Sequence, residues 1–247
     1  LNKFKVNKIP IISIVNVVNS SIARLSDFIL PTLAGPEIGV ASTKAFTSQL
    51  SVFILLSLNF HQRIGEDKKA FNNSIFKIHE SITEILNNKN KFKKIAQTLI
   101  TSKSIFYIGR GVMYPIALEG ALKLKEITYK HCEGYAAGEL KHGPLALIEK
   151  NIPVIALAPF DQNYLKLLSN IKEVEARGGR VIMITDKDGA KKAKKYCREL
   201  LIIPKSNFLT SPIIYSLPVQ LIAYYLGVFL GTDVDQPRNL AKSVTVE

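Results

Sequence analysis

Cysteine is scarce in this sequence. Cys132 and Cys197 are the two thiols in 247 residues, too few for a disulfide framework and in none of the paired spacings that hold zinc. Two reduced thiols in a cytosolic (cytoplasmic) protein, with no metal, are therefore expected. Arginine is scarce as well: of 33 basic residues only seven are arginine. A net charge of +13 attracts polyanions in general, but bidentate recognition of phosphates and bases favours arginine. The lysines gather in scattered clusters, such as Lys89 to Lys94 and Lys191 to Lys195, and no nucleic acid partner is expected. The first residues, Leu1 to Ile12, lack an initiator methionine and the basic-then-apolar layout of a secretory signal, so the chain reads as a fragment without an export address. One apolar run, Ile213 to Gly231, is long enough to suggest a membrane span. Ser216, Pro218 and Gln220 interrupt it and no basic cluster flanks it, so a buried core helix and no membrane partner are expected.

What is present is ordinary globular material: 47% hydrophobic and 21% charged residues, enough for one or two packed cores. Ile11 to Val18 and Phe28 to Leu33 are short runs rich in β-branched or aromatic residues and predict strands; the largely apolar stretch Lys44 to Leu58 predicts a helix. The same order recurs in Arg180 to Thr185, Leu200 to Pro204 and the helical stretch Ile213 to Leu230, which indicates an internal duplication of an α/β unit. The second copy has further elements upstream: a strand at Ser104 to Ile108, a helix from Tyr114 to Lys130, a strand at Pro153 to Ala158 and a helix from Asn163 to Arg177. The first copy has no counterpart for these, so by comparison it is expected to lack roughly its first 75 residues. Between the copies, Glu66 to Lys89 is polar and amphipathic, with Phe71, Ile75, Ile78, Ile82 and Ile85 near helical spacing, and predicts a connecting helix. Alternating strands and helices predict doubly wound parallel sheets, whose ligands bind beyond the carboxyl ends of the strands.

Glu119, Lys123, Glu126 and Lys130 fall at i, i+4, i+7 and i+11, on one narrow face of the predicted helix. By itself this is a stripe of exposed ion pairs; held at a cleft, a Lys/Glu pair becomes a proton shuttle. The loop Gly138 to Pro144 contains Glu139, Lys141 and His142, groups able to exchange protons, although a histidine beside Gly-Pro is also an ordinary turn residue. Val40, Ala41, Ser42 and Thr43 precede the helix at Lys44. Ser42 or Thr43 is placed to cap it, and the free N–H groups of such a helix start receive an anion or a sugar hydroxyl. Gly109-Arg110-Gly111 follows a strand and suggests a phosphate-type turn, too short to be specific. The stretch Asp233 to Glu247 predicts no helix, and a polar tail of this kind usually frays. Within it, Lys242 would become an amine nucleophile toward carbonyls if desolvated.

The strings Pro36 to Thr47, Ala117 to Glu126, Gly138 to Leu147 and Asp235 to Glu247 together closely resemble the isomerase region of the glutamine:fructose-6-phosphate aminotransferase (isomerizing) family, and the resemblance runs essentially the whole length. It implies an α/β fold of two sugar-isomerase (SIS) doubly wound parallel-sheet subdomains, the first incomplete: 1–62 as the C-terminal part of the first SIS subdomain, 63–95 as the connecting helical segment, 96–237 as the second SIS subdomain and 238–247 as an active-site tail. It implies hexosamine biosynthesis, in which fructose 6-phosphate and glutamine-derived ammonia give glucosamine 6-phosphate. Carried over by the resemblance, Lys242 forms a Schiff base with the open-chain ketose and Glu126 moves the proton between C1 and C2. His142 assists ring opening from the neighbouring subunit of a homodimer, Lys123 assists proton traffic, and Val40, Ala41 and Ser42 contact the sugar. No cofactor is implied, since an amine, a base and a carbonyl suffice for this chemistry.

The family's N-terminal glutaminase domain, which supplies the ammonia, is absent from the sequence, as is the Ser/Thr-rich segment that holds the phosphate. As it stands the chain is expected neither to hydrolyse glutamine nor to bind fructose 6-phosphate well. Two other readings remain open: a noncatalytic SIS module that senses a sugar phosphate, and an SIS deaminase or isomerase acting on another amino-sugar phosphate. The first has no need of the Glu126, His142 and Lys242 set, and the C-terminal string disfavours the second.

Overall fold

The computed structural model describes residues 1–62 and 68–242. The expected first residues of the connecting helix, up to 67, the Phe71 side chain and the tail residues 243–247 lie outside the described residues. In chain order the elements are α1 (Asn2–Val6), β1 (Ile12–Val15), α2 (Ser21–Arg24), β2 (Phe28–Pro31), α3 (Lys44–Gln62), α4 (Lys68–Asn87) and α5 (Lys89–Thr98). There follow β3 (Ser104–Gly109), α6 (Met113–Thr128), β4 (His131–Ala136), β5 (Pro153–Ala158), α7 (Tyr164–Glu175), β6 (Arg180–Thr185), α8 (Lys187–Ala193), β7 (Glu199–Ile202) and α9 (Ser211–Leu230).

The apolar strands of the second unit carry side chains to both faces, which is why they read as continuous hydrophobic runs. Ile105 and Tyr107 of β3, Ile155 and Leu157 of β5, and Ile182 and Ile184 of β6 enter one core. Phe106 and Ile108, Val154 and Ala156, and Val181 and Met183 enter the other. All five strands are parallel, in the order β4-β3-β5-β6-β7. The first core is closed by α5, α6 and α9, the second by α7 and the short 3-10 turns that follow β4, so the sheet is covered on both sides as a doubly wound fold requires. Sequence periodicity misses β4, because of its residues only Cys132 is buried and Gly134 interrupts it. It is an edge strand and carries little apolar signal.

The duplication is visible in the order of elements. In the first unit β1, α2, β2 and α3 follow one another, and in the second β6, α8, β7 and α9. β1 and β2 form a separate two-stranded parallel sheet, Ile12 pairing with Phe28 and Val15 with Pro31. Where β6 is flanked by β5 and β7, β1 has β2 alone, and Ile12, Phe28 and Ile29 are exposed. The predicted connecting helix corresponds to α4, which ends at Asn87; α5, which follows Asn88, lies beyond it and was not expected as a separate helix.

Helix α9 is long and apolar enough to cross a membrane by length and composition. One face of it, with Tyr215, Val219, Ile222, Ala223 and Leu226, is fully buried in the core it shares with α5 and α6, while Tyr224 and Val228 are exposed. Close approach of α6, β3 and α9 depends on one glycine. A Cβ at Gly120 would lie 2.8 Å from the Tyr107 ring and 3.0 Å from Val219 Cβ. Gly120→Ala is therefore expected to destabilise the fold by about 1–3 kcal/mol through overpacking, read as a lower urea midpoint at unchanged m-value.

Candidate functional site

The charged face of α6 departs from the expected exposed stripe. The Lys123 side chain is 4% exposed, and its ammonium sits 2.6 Å from Glu126 Oε2 and 3.8 Å from Glu119 Oε1. Helical spacing sets both contacts, at i,i+3 and i,i+4. Burial makes them obligatory, since a desolvated ammonium needs a counter-charge. Glu119 is 10% exposed, and Oε1 finds no hydrogen-bond donor among the described residues. Burial, and secondarily the Glu126 charge, push its carboxyl up to about 7 against the opposing pull of Lys123. Lys130 does not belong to this face. Helix α6 ends at Thr128, Tyr129 takes a left-handed conformation with φ of 59°, and Lys130 Nζ turns away to donate to the carbonyls of Ile100 and Ser102 at 2.8 and 2.7 Å.

Lys123 forms one wall of a cavity of about 330 Å³. The opposite wall is the loop that follows β2, with Glu37, Ala41 and Lys44, and the cavity is closed by Gln220 of α9 and Asp235 of the tail. Glu37 organises this loop. Its Oε1 accepts from the backbone N–H groups of Thr43 and Ala45 at 2.9 and 3.3 Å and from Ser42 Oγ at 3.3 Å. The expectation that Ser42 or Thr43 caps α3 and leaves its N–H groups open is thus corrected: a carboxylate from upstream already fills the helix start. Burial raises the Glu37 carboxyl, but those hydrogen bonds and the Lys242 charge outweigh it and hold it below the usual range.

The tail up to Lys242 is tied down rather than frayed. Thr232 Oγ1 donates to the Ile127 carbonyl at 2.8 Å, Asp233 Oδ1 receives the N–H groups of Asp235 and Gln236, and the Asp235 carbonyl accepts from Val40 N–H at 2.8 Å. Arg238 stacks 4.2 Å above the Tyr129 ring, with its N–H on Tyr129 Oη at 2.7 Å. The path delivers Lys242 to the loop, where its Nζ donates to the Glu37 carbonyl and lies 3.6 Å from Glu37 Oε2.

Among the residues singled out from sequence, Lys123 and Glu126 are in contact, and Ala41 lines the cavity. Val40 is held through its backbone by Asp235 and Ser42 through its hydroxyl by Glu37. Lys242 and Glu126 share no hydrogen bond or ion pair among the described residues; each instead contacts a residue that lines the cavity, Glu37 and Lys123 respectively. His142 stands apart, 75% exposed, with Glu139 at 3.9 Å as its nearest charge, and it does not line the cavity. Arg110 of the suspected phosphate turn donates to Asn170 Oδ1 at 2.9 Å. Sequence reasoning did not single out Glu37, Gln220 and Asp235. Gln220 Nε2 is buried without a partner among the described residues, and a polar residue interrupting an apolar helix was its only signal. The thiols of Cys132 and Cys197 are each pushed up to about 12 by burial, which leaves them poor nucleophiles.

Comparison with known proteins adds a family context. The SIS domain family matches residues 1–58 and 98–229. The glutamine–fructose-6-phosphate aminotransferase [isomerizing] of Bartonella henselae is 52% identical over 239 residues, 95% of this chain and 39% of its own length. That of Rhizobium meliloti is 51% identical over 240 residues, 40% of its length. The chain therefore spans about two fifths of the curated relatives it matches. The solved C-terminal domain of glucosamine-fructose-6-phosphate aminotransferase from Francisella tularensis is similar over 96% of this chain and 68% of that one, with 38% identity and a TM-score of 0.89. A glucosamine-6-phosphate deaminase from Thermotoga maritima, at 22% identity and a TM-score of 0.70 over 95% of this chain and 66% of that one, shares the fold.

The environment of Glu119 predicts a pH dependence. A carboxyl raised from 4.5 to about 7 binds its proton more tightly folded than unfolded, so its contribution to stability is present below the unfolded value and is lost as pH rises through that window. Glu119→Gln is expected to flatten this fall, measured as urea midpoints across the window. Carboxyl-carbon NMR of the unaltered chain is expected to show one glutamate titrating near neutrality.

Proposed function

The chain belongs to the SIS domain family and, within it, to the isomerising glutamine–fructose-6-phosphate aminotransferases, and on that premise we propose that it forms the sugar-isomerising part of an enzyme making glucosamine 6-phosphate from fructose 6-phosphate and glutamine-derived ammonia. The observation that carries the proposal is the buried Lys123 ammonium, 2.6 Å from the Glu126 carboxylate, on a cavity whose far wall holds the Lys242 amine through Glu37.

In this reading Lys242 Nζ attacks C2 of the open-chain ketose and water leaves as the C=N bond forms; ammonia then adds at C2 and releases the lysine. Glu126 takes a proton from C1 as the electron pair moves into the C1–C2 bond and the imine nitrogen takes up a proton; the proton is then returned to C2 as the C1 hydroxyl gives up its own, leaving the aldehyde at C1 and the amine at C2. Lys123 holds the Glu126 carboxylate in place by a charge-assisted hydrogen bond. Glu119, held near neutrality, relays protons on its far side. Val40, Ala41 and Ser42 bind the sugar along the loop.

His142 opens the ring from a second copy of the chain. Its exposure, and its position away from the cavity of its own chain, support a homodimer of this kind. Two free thiols, Cys132 buried and Cys197 half-buried, support a cytosolic location. The ammonia comes from a glutaminase domain of the longer protein. The serine- and threonine-rich phosphate loop that the resemblance implies is not among these 247 residues, so the chain alone is expected to bind fructose 6-phosphate weakly.

In the full-length protein, borohydride reduction in the presence of fructose 6-phosphate is expected to label Lys242, read by peptide mass. Label confined to other lysines removes it from the chemistry. Glu126→Gln is expected to lower kcat by about 10²–10⁴-fold with little change in substrate binding, and undiminished turnover assigns the base elsewhere. Sugar-phosphate binding with no turnover in the unaltered protein would favour a sensing module.

A further inference from the structure

A second cavity lies beside the start of α9 and shares no lining residue with the candidate site. It measures about 310 Å³ and is lined by Ser74, Lys77 and Ser81 of α4 and by Lys205, Ser206, Asn207 and Thr210 of the loop between β7 and α9, with the apolar Ile78 and Ile214 at its floor. No carboxylate is among its lining residues. In the internal duplication this loop corresponds to the one between β2 and α3, which walls the candidate site. The same joint of the repeat therefore bounds a cavity in each unit.

The groups facing this cavity suit one kind of ligand. Lys77 makes no ion pair among the described residues. Lys205 Nζ has a single carboxylate, Asp188 Oδ2 at 3.2 Å, and both side chains of that pair are exposed, at 68% and 42%, so the pair holds the lysine weakly. Asp188 is shared with Lys191 and is not part of the lining. Ser206 Oγ is buried with no hydrogen-bond partner among the described residues, which leaves a donor whose desolvation is uncompensated. Asn207 Nδ2 donates to Ser74 Oγ at 2.7 Å and joins the two walls. Leading into α9, the N–H groups of Leu209 and Thr210 donate to Asn207 Oδ1 at 3.1 and 3.0 Å and that of Ser211 to the Asn207 carbonyl at 2.9 Å. Recognition rests on the two ammonium groups and the hydroxyls.

We propose that the cavity between α4 and the β7–α9 loop binds a small phosphate monoester, its dianion between Lys77 and Lys205 with a bond from Ser206 Oγ, and its hydroxyl-bearing end against Ser74 and Ser81. The volume lies at the lower limit of small-molecule pockets, which fits a monoester of a few carbons. Lysine acts here as a point charge for phosphate. The ligand covers the joint between the connecting helix and the second unit.

The probes are glycerol 1-phosphate and inorganic phosphate, titrated into the 247-residue chain and followed by backbone amide NMR. Glycerol 1-phosphate is expected to give saturable shifts at Ser74, Ser206 and Asn207, with inorganic phosphate binding at least tenfold more weakly. Equal binding of the two overturns the monoester in favour of a free-anion site. Lys77→Ala and Lys205→Ala, both at exposed positions, are each expected to weaken binding tenfold or more, while Glu126→Gln leaves it unchanged. Shifts that do not saturate, that spread evenly over the surface lysines, or that survive both lysine substitutions overturn the proposal. None of these outcomes depends on the aminotransferase reading of the first cavity.

Discussion

The site is organised around an ammonium group that water barely reaches. Lys123 lies on the face of α6 that packs toward α9, and removing its charge from water is tolerable only because Glu126 and Glu119 flank it. Three consequences follow from that one placement. The Lys123 ammonium, which lines the cavity, anchors Glu126. Glu119, deeper and without a hydrogen-bond donor at Oε1, is pushed toward neutrality. The helix must also approach α9 and β3 closely enough to bury the lysine, which the missing Cβ of Gly120 permits.

The second organising group is Glu37, which binds two segments far apart in sequence. Its carboxylate satisfies the start of α3 and fixes the Val40-Ala41-Ser42 loop, while its carbonyl and its second oxygen hold Lys242. The tail reaches it through a series of modest contacts: an Asx turn at Asp233, a backbone bond from Val40 to Asp235, and the Arg238–Tyr129 stack. Each is worth on the order of 1 kcal/mol. Their sum directs a polar segment that would fray if it had no partners.

The duplicated architecture explains where both cavities lie. In each unit a strand, a short helix and a second strand lead into a loop and a long helix, and that loop sits at the carboxyl end of parallel strands, where backbone groups and side chains converge on open space. In the first unit the loop meets α6, α9 and the tail, a mixed-charge environment with carboxylates and amines suited to proton transfer. In the second it meets α4, where lysines and hydroxyls dominate. One joint of the repeat thus presents different chemistry according to the helix it faces.

Much of the fold was legible in the sequence, because buried parallel strands and long apolar helices announce themselves: Pro153–Ala158 and Arg180–Thr185 are strands over the expected residues, and α6, α7 and α9 lie within a few residues of expectation. The polar edge strand β4 was not legible, since its pairing with β3 supplies what its side chains do not. For the site, helical periodicity alone put Glu119, Lys123 and Glu126 on one face, and strings of residues alone carried the family. Whether that face met water or protein, which carboxylate capped α3, where the tail ran and which residue met Lys242 were decided by tertiary structure. Burial and long-range contact are properties of the packed chain: an i,i+4 spacing is the same whether the helix faces solvent or another helix, and only the second arrangement turns an ion pair into a constraint.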